Sequence, residues 1–313
     1  MKKFFFFASA AIVALASCAK TEVVYNDGPQ EIAFKQVTGA MTKADLEGDM
    51  GVFAYTTPGD AYFVNGEPKQ FTQGETYWVA SPAQYYPLQT ALDFACYSPY
   101  AAGWTYVNGT QTMTSKEFSA AEIKETDVLF GAEIYDGCTD DDPVVPVLFK
   151  HALAQVSVSV KTNVPDVVEI TKVTLVDVNR DGVLTVDYDG TALNTVVWNT
   201  VTPTDSDYSW TDFTSPTTTD AVSCGNAYYF VANNYADIND DYLNDYASSC
   251  EQTKFVVDYT VNGVDFSAEV SLAGAYWEMG KHYQYTISAN LVEIQFDPTV
   301  QVMVDVVDNT LTL

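Results

Sequence analysis

The most regular alternation in the chain lies near its C-terminal end. From Ile294 to Val306 every even position is non-polar (Ile294, Phe296, Pro298, Val300, Val302, Val304, Val306), while the odd positions read Gln295, Asp297, Thr299, Gln301, Met303 and Asp305. A period of two predicts a strand with one buried face. The stretch exceeds the usual strand length of about 5–6 residues, and Pro298 removes a ladder donor in its middle. Two strands are therefore expected: one ending near Phe296, and a second, Thr299 to Val307, projecting beyond the body. A projecting apolar strand needs a groove, and the expected groove belongs to another copy of the chain. Glu31–Lys35 and Gln155–Val160 alternate in the same way, and Gly51–Tyr55, Thr76–Val79, Leu92–Tyr100 (stopped by its proline), Ile170–Val176, Phe255–Val261 and Phe266–Leu272 also read as strands. Asn262-Gly263 supplies a hairpin turn between the last two. Asp181-Gly182 predicts a second hairpin, between Ile170–Val176 and Val183–Val186. Ser115 to Glu125 is the best helical candidate, with Ser115 as its cap.

Composition agrees with an all-β chain: 47% hydrophobic residues, with 21 Tyr and 17 Phe, stand against few long helical patterns. The weakest stretch between strands, Thr162 to Asp166, predicts a boundary between an N-terminal domain, 44–163, and a C-terminal one, 164–313.

The amino terminus reads differently. Lys2 and Lys3 precede an apolar run from Phe4 to Ala16 that is too short for a permanent membrane span, so residues 1–17 are expected to be a secretory signal peptide. Leu15-Ala16-Ser17-Cys18 resembles a bacterial lipobox, which makes Cys18 the expected lipidation site and first mature residue. An ordinary signal peptide with an incidental cysteine is the alternative. After the following tether, Thr38 to Asp45 is a small, polar stretch with Lys43 at its centre, open to a trypsin-like protease cutting between Lys43 and Ala44. Such a cut would release 18–43, including the strand around Ile32 and Phe34. An uncut linker reads equally well from composition.

The formal charge of −28 argues against nucleic acid and anionic lipid surfaces, both of which would repel it. Candidate chemistry is sparse. His151 and His282 each sit in a strand-like run, and no nucleophile elbow, phosphate loop or metalloprotease helix occurs. No catalytic residue and no cofactor is expected, and no metal site. Asp177-x-Asn179-x-Asp181-Gly182 imitates the start of a calcium loop, but Tyr188 stands where the bidentate Glu belongs. The cluster Asp237, Asp240, Asp241 and Asp245 reads as a solvated loop in preference to a calcium site. Cys96 shares the parity of Leu92 and Phe94 and reads as a core residue, while Cys224 and Cys250 could pair, although spacing alone cannot establish a bridge.

Several pieces, in order over nearly the whole chain, resemble the fimbrillin-like family of Bacteroidales, the subunits of type V pili. They are the lipobox at Cys18, Ile32-Ala33-Phe34, Thr42-Lys43-Ala44 before Gly51–Tyr55, Phe94–Pro99, Phe149–Ala154, Trp277-x-x-Gly280-Lys281-x-Tyr283-x-Tyr285-x-Ile287, and Ile294-x-Phe296-x-Pro298-x-Val300. The resemblance implies two transthyretin-like β-sandwich domains, taken here with Greek-key connections. It also implies an outer-membrane lipoprotein precursor, proteolysis at a basic residue (here Lys43, where the family often has Arg), and loss of the strand bearing Ile32 and Phe34. The opened groove would then take the terminal strand of a neighbouring copy or related pilus subunit. That strand would carry Val300, Val302, Val304 and Val306, each contributing about 1.5–3 kcal/mol if fully buried. The expected role is a shaft subunit of a cell-surface fimbria that supports adhesion. The alternative is a monomeric outer-membrane lipoprotein with a glycan-binding sandwich, its stacking platform built from Trp210, Tyr228, Tyr229 and Tyr235.

Overall fold

The computed structural model describes residues 29–36, 48–136 apart from 57, 58 and 89, 143–203 apart from 177 and 179, 207–231, 253–272, 277–289 and 294–302. In chain order the first strands are β1 (Ala33–Gln36), β2 (Met50–Thr56), β3 (Lys69–Gln73), β4 (Trp78–Ala80), β5 (Leu92–Ser98), β6 (Thr105–Val107) and β7 (Thr112–Phe118). Helix α1 (Ala120–Glu125) follows, then β8 (Leu129–Tyr135), β9 (Val144–Val147), β10 (Lys150–His151), β11 (Leu153–Lys161) and β12 (Val168–Val176). The remaining strands are β13 (Arg180–Asp189), β14 (Ala192–Pro203), β15 (Tyr208–Trp210), β16 (Val222–Ser223), β17 (Tyr228–Val231), β18 (Lys254–Val261), β19 (Val264–Ser271), β20 (Lys281–Ala289) and β21 (Ile294–Val302).

Strands β10-β8-β5-β2-β3-β4-β1-β9 form one large sheet. Its central strands are buried on both faces, which explains why their sequences are almost continuously apolar. On β2, Met50, Val52 and Ala54 point into one core while Phe53 and Tyr55 point into another; β5 divides Leu92, Phe94 and Cys96 from Ala95 and Tyr97 in the same way. The first core lies inside the curl of the sheet, whose far strand β9 returns beside β8. Gly131 permits that approach: a Cβ there would fall 2.8 Å from the Leu148 carbonyl oxygen and from Val147 Cγ1. The second core is closed by the sheet β14-β13-β7-β6 and by Ile123 of α1. Together these layers make the first sandwich. The second sandwich packs the sheet β16-β11-β20-β21, with β17 also on β11, against β15-β12-β18-β19.

The expected domain boundary does not separate these units. Strand β13 pairs with β7 and β14 pairs with β13, so 180–203 returns to the first sandwich, while β11 pairs with β20 in the second. Non-local pairing of this kind leaves no trace in a local composition shift. The predicted hairpin at Asp181-Gly182 is likewise corrected: both residues lie within β13, at a register shift, and the turn to β14 comes at Gly190, with φ +65°. The helix begins at Ala120 rather than Ser115. Ser119 is the cap, in a reciprocal box with Glu122, and Ser115 lies in β7, where its hydroxyl accepts the Leu184 N–H across the sheet. The Asn262-Gly263 turn is as expected, with φ of 50° and 78°.

The two-strand reading of the C-terminal stretch is also corrected. β21 runs unbroken through Pro298, pairing antiparallel with β20 from Ile294–Ala289 to Val302–Lys281. It is the edge strand of its sheet, where a missing N–H is tolerated. Thr299 to Val302 therefore belong to the body, and 303–313, with Val304 and Val306, lie outside the described residues.

Candidate functional site

Strand β1 sits between β4 and β9. It runs antiparallel to β4, through Ala33–Val79 and Phe34–Trp78, and parallel to β9, from Ala33–Val144 to Gln36–Val147. Upstream the pairing continues: the Ile32 N–H donates to the Gln84 carbonyl at 2.7 Å, and Gln30 accepts from the Tyr86 N–H at 2.9 Å. The strand therefore fills a slot along residues 30–36. Without it, β4 and β9 would face one another across two strand spacings, about 10 Å, a gap that only another extended chain can satisfy with backbone hydrogen bonds on both walls.

The slot is apolar within. Ile32 is 0% and Phe34 1% exposed, and the Phe34 ring stands edge-on to Phe71 at 4.8 Å and to Phe94 at 5.2 Å. Cys96 lies in the same core, as expected, and burial, followed by the nearby Glu133 charge, pushes its thiol well above the ordinary value. It remains a neutral side chain, so recognition in this slot is a matter of shape and backbone pairing.

Covalently, β1 joins the body only through 37–47. The body resumes at once beyond that connection: Trp78 Nε1 donates to the Gly48 carbonyl at 2.8 Å, and the Asp49 carbonyl accepts from the Tyr100 N–H at 3.0 Å and Ser98 Oγ at 3.2 Å. A break in 37–47 thus leaves every contact from Gly48 onward in place. Lys43, Ala44 and Cys18 lie outside the described residues. The parallel partner β9 was missed as part of this site; the run Val144-Val145-Pro146-Val147 signals a strand but not its neighbour.

The other candidates have structural roles. His151 Nδ1 lies 2.5 Å from Asp127 Oδ2, and among the described residues neither His151 Nε2 nor Asp127 Oδ1, both buried, has a further hydrogen-bond partner. His282 Nε2 lies 2.7 Å from Ser157 Oγ on the neighbouring strand. Asp181 Oδ1 accepts the Ala120 N–H at 2.7 Å and so serves the start of α1. Among the described residues no group of three or more His, Cys, Asp or Glu is placed to hold a metal ion, and no helix is long and apolar enough to cross a membrane. The acidic cluster at 237–245 lies outside the described residues. Cys224 is buried, which pushes its thiol up to about 12, and Cys250 lies outside the described residues. Of the expected aromatic platform, Trp210 is a core residue at 2% exposure, Tyr228 and Tyr229 are half-buried, and Tyr235 lies outside the described residues.

These features define an all-β protein whose distinctive site is a strand-filled slot. A family model described as fimbrillin-like matches residues 38–301, and the chain belongs to that family. It is a fimbrial structural protein of the cell surface and not an enzyme. The comparison with curated proteins gives no match. Among solved structures, the fold is similar to a fimbrial protein from Bacteroides vulgatus, at 13% identity and a TM-score of 0.53, covering 88% of this chain and 99% of that one. Similar folds occur in two proteins each described as a "putative cell adhesion protein". One, from Bacteroides uniformis, is 16% identical, with a TM-score of 0.53 over 87% of this chain and 97% of its own. The other, from Bacteroides ovatus, is 14% identical, with a TM-score of 0.53 over 90% and 99%.

Proposed function

We propose that this chain is a shaft subunit that polymerises by proteolysis-triggered strand exchange. The observation that supports this reading is β1, a strand with a buried apolar face, walled by its own sheet on both sides and joined to the body by one connection that contains Lys43. Lipid on Cys18 holds the precursor at the outer membrane, and a trypsin-like protease cuts between Lys43 and Ala44. An attached strand behaves as though present at millimolar concentration. Once cut it is at micromolar concentration or less, a thousand-fold loss equivalent to about 4 kcal/mol. β1 then leaves, and a terminal segment of another copy or a related subunit, carrying Val304 and Val306, enters in its place. The head-to-tail contact does not close on itself, so it propagates as a filament, and an available donor tail suits a shaft subunit. The two sandwiches are read as transthyretin-like units with Greek-key connections.

The test is to treat purified precursor with trypsin and look for a detergent-resistant ladder. Wild type should form one, Lys43→Gln should stay uncut and monomeric, and deletion of 303–313, which spares β21, should allow cutting but abolish the ladder. A monomer that persists after confirmed cutting and loss of β1 would overturn the reading.

A further inference from the structure

Strand β19 is the outer strand of the sheet β15-β12-β18-β19. It pairs with β18 over eight residues without a register shift, and the Asn262-Gly263 turn fixes which of its backbone groups are spent. In a two-residue hairpin the closing pair, here Val261 and Val264, exchanges hydrogen bonds, and bonded pairs alternate from there on. The Leu272 N–H, which donates to the Thr253 carbonyl at 2.8 Å, keeps that alternation to the far end of the strand. Asp265, Ser267 and Glu269 are therefore the residues whose N–H and C=O groups face away from β18. Of the devices that blunt such an edge, 264–271 has no proline, lysine or bulge, only the charges of Asp265 and Glu269.

Beside this edge is a hollow of about 460 Å³ lined by Thr171, Asp258, Tyr259, Asp265, Phe266 and Ser267, within the usual ligand-site range of about 300–1,000 Å³. Its polar groups are mostly acceptors. Ionised carboxylates only accept, and the Thr171 hydroxyl already donates to the Asp258 carbonyl at 3.0 Å. On the outer face of the sheet Lys254 pairs with Glu269 at 2.7 Å and Lys172 offsets Glu169, which leaves Asp258 and Asp265 in excess. On the core-side face the Phe266 ring stacks on Tyr259 at 5.8 Å, yet Phe266 is 48% and Val264 60% exposed.

We propose that β19 docks an extended basic polypeptide in which lysine or arginine side chains alternate with apolar ones. Its backbone pairs with Asp265, Ser267 and Glu269. One basic side chain enters the hollow beside Asp258 and Asp265, and the next, apolar one lies against Phe266 on the other face. Charge chooses the partner: an acidic strand is repelled, and a second copy, with 42 acidic against 14 basic residues, offers little that fits. A free polyamine would satisfy the carboxylates but not the edge. The site lies on the second sandwich, away from the β1 slot, and does not depend on strand exchange.

The experiment uses the intact, uncut chain and a capped fluorescent peptide of four lysines alternating with four valines. Anisotropy should show saturable binding that weakens with added salt. Affinity should fall at least ten-fold in an Asp258→Asn, Asp265→Asn double variant, and at least ten-fold in Ser267→Pro, which removes an outward N–H and no bond to β18. On binding, the Asp265 and Ser267 amides should gain at least ten-fold protection from hydrogen exchange, while that of Phe266, already bonded to β18, changes less than two-fold. A chain of net charge −28 attracts any polycation, so spermine and a peptide with its lysines in one block serve as controls and should bind at least ten-fold more weakly. Equal binding of either control, or unchanged affinity in the asparagine variant, would overturn the site. Protection of the same amides by neutral oligosaccharides and not by the peptide would overturn the ligand class. The asparagine variant alters no ladder bond, and an unchanged Tm confirms its fold, so it carries the test by itself if Ser267→Pro is unstable.

Discussion

Phe34→Ala tests whether β1 is a separately removable element. The ring is 1% exposed and contacts Phe71 and Phe94 edge-on, and truncating such a side chain costs about 3–5 kcal/mol. If β1 detaches as a unit, that cost falls on the local equilibrium between filled and empty slot, raising the empty population by roughly two to three and a half powers of ten at about 1.4 kcal/mol each. Amide hydrogen exchange reads this directly. The Ile32 N–H, bonded to Gln84, and the Tyr86 N–H, bonded to Gln30, should lose protection by that factor, while amides of β12 in the second sandwich keep theirs. The uncut variant should also polymerise slowly without protease. Equal loss of protection in both sandwiches would refute the reasoning, because Phe34 would then be an ordinary part of one cooperative core.

Three further outcomes follow from the same structure. Ser119→Ala, which removes the cap of α1, should lower unfolding stability by about 1 kcal/mol in urea titrations. Glu122 is held at about 2, below its ordinary 4.5, first by Lys116 and then by the Ser119 backbone; its contribution is present above the ordinary value and is lost as pH falls towards 2. Glu122→Gln should therefore flatten the acid limb of a Tm–pH curve below 4.5. Burial lowers the His282 imidazole below its ordinary 6.5, so the unfolded chain takes up a proton that the folded one resists, and stability falls as pH drops below that value. His282→Gln should reduce that loss, as read by Tm between pH 7.5 and 5.5.

Strand positions were legible wherever one period governed the local sequence. On β20, Tyr283, Tyr285 and Ile287 are buried in alternation, and Asn262-Gly263 announces its turn because few other residues adopt two successive positive φ values. Ile32 and Phe34 were visible as a short buried face for the same reason. What the chain does not advertise is who pairs with whom. Ser115 to Phe118 contains good capping and helix-forming residues, but pairing of β7 with β13 overrides that preference. Asp181-Gly182 has turn chemistry, yet the strand passes through it with a register shift and Asp181 is spent on α1. Pro298 looked like a stop, yet it sits on an edge strand with only one neighbour to satisfy. The slot itself needed the parallel contact of β1 with β9, which connects positions more than a hundred residues apart and has no local signature.

Refilling of the vacancy left by β1 by a second copy is measured by segment-resolved hydrogen exchange over Trp78–Ala80 and Val144–Val147. In chains cut after Lys43 and kept dilute, both walls should lose protection. On concentration they should regain it in the full-length chain but not in one lacking 303–313. Walls that stay protected in the dilute monomer after 1–43 has been lost, or that recover without the tail, would mean that no second copy fills the slot.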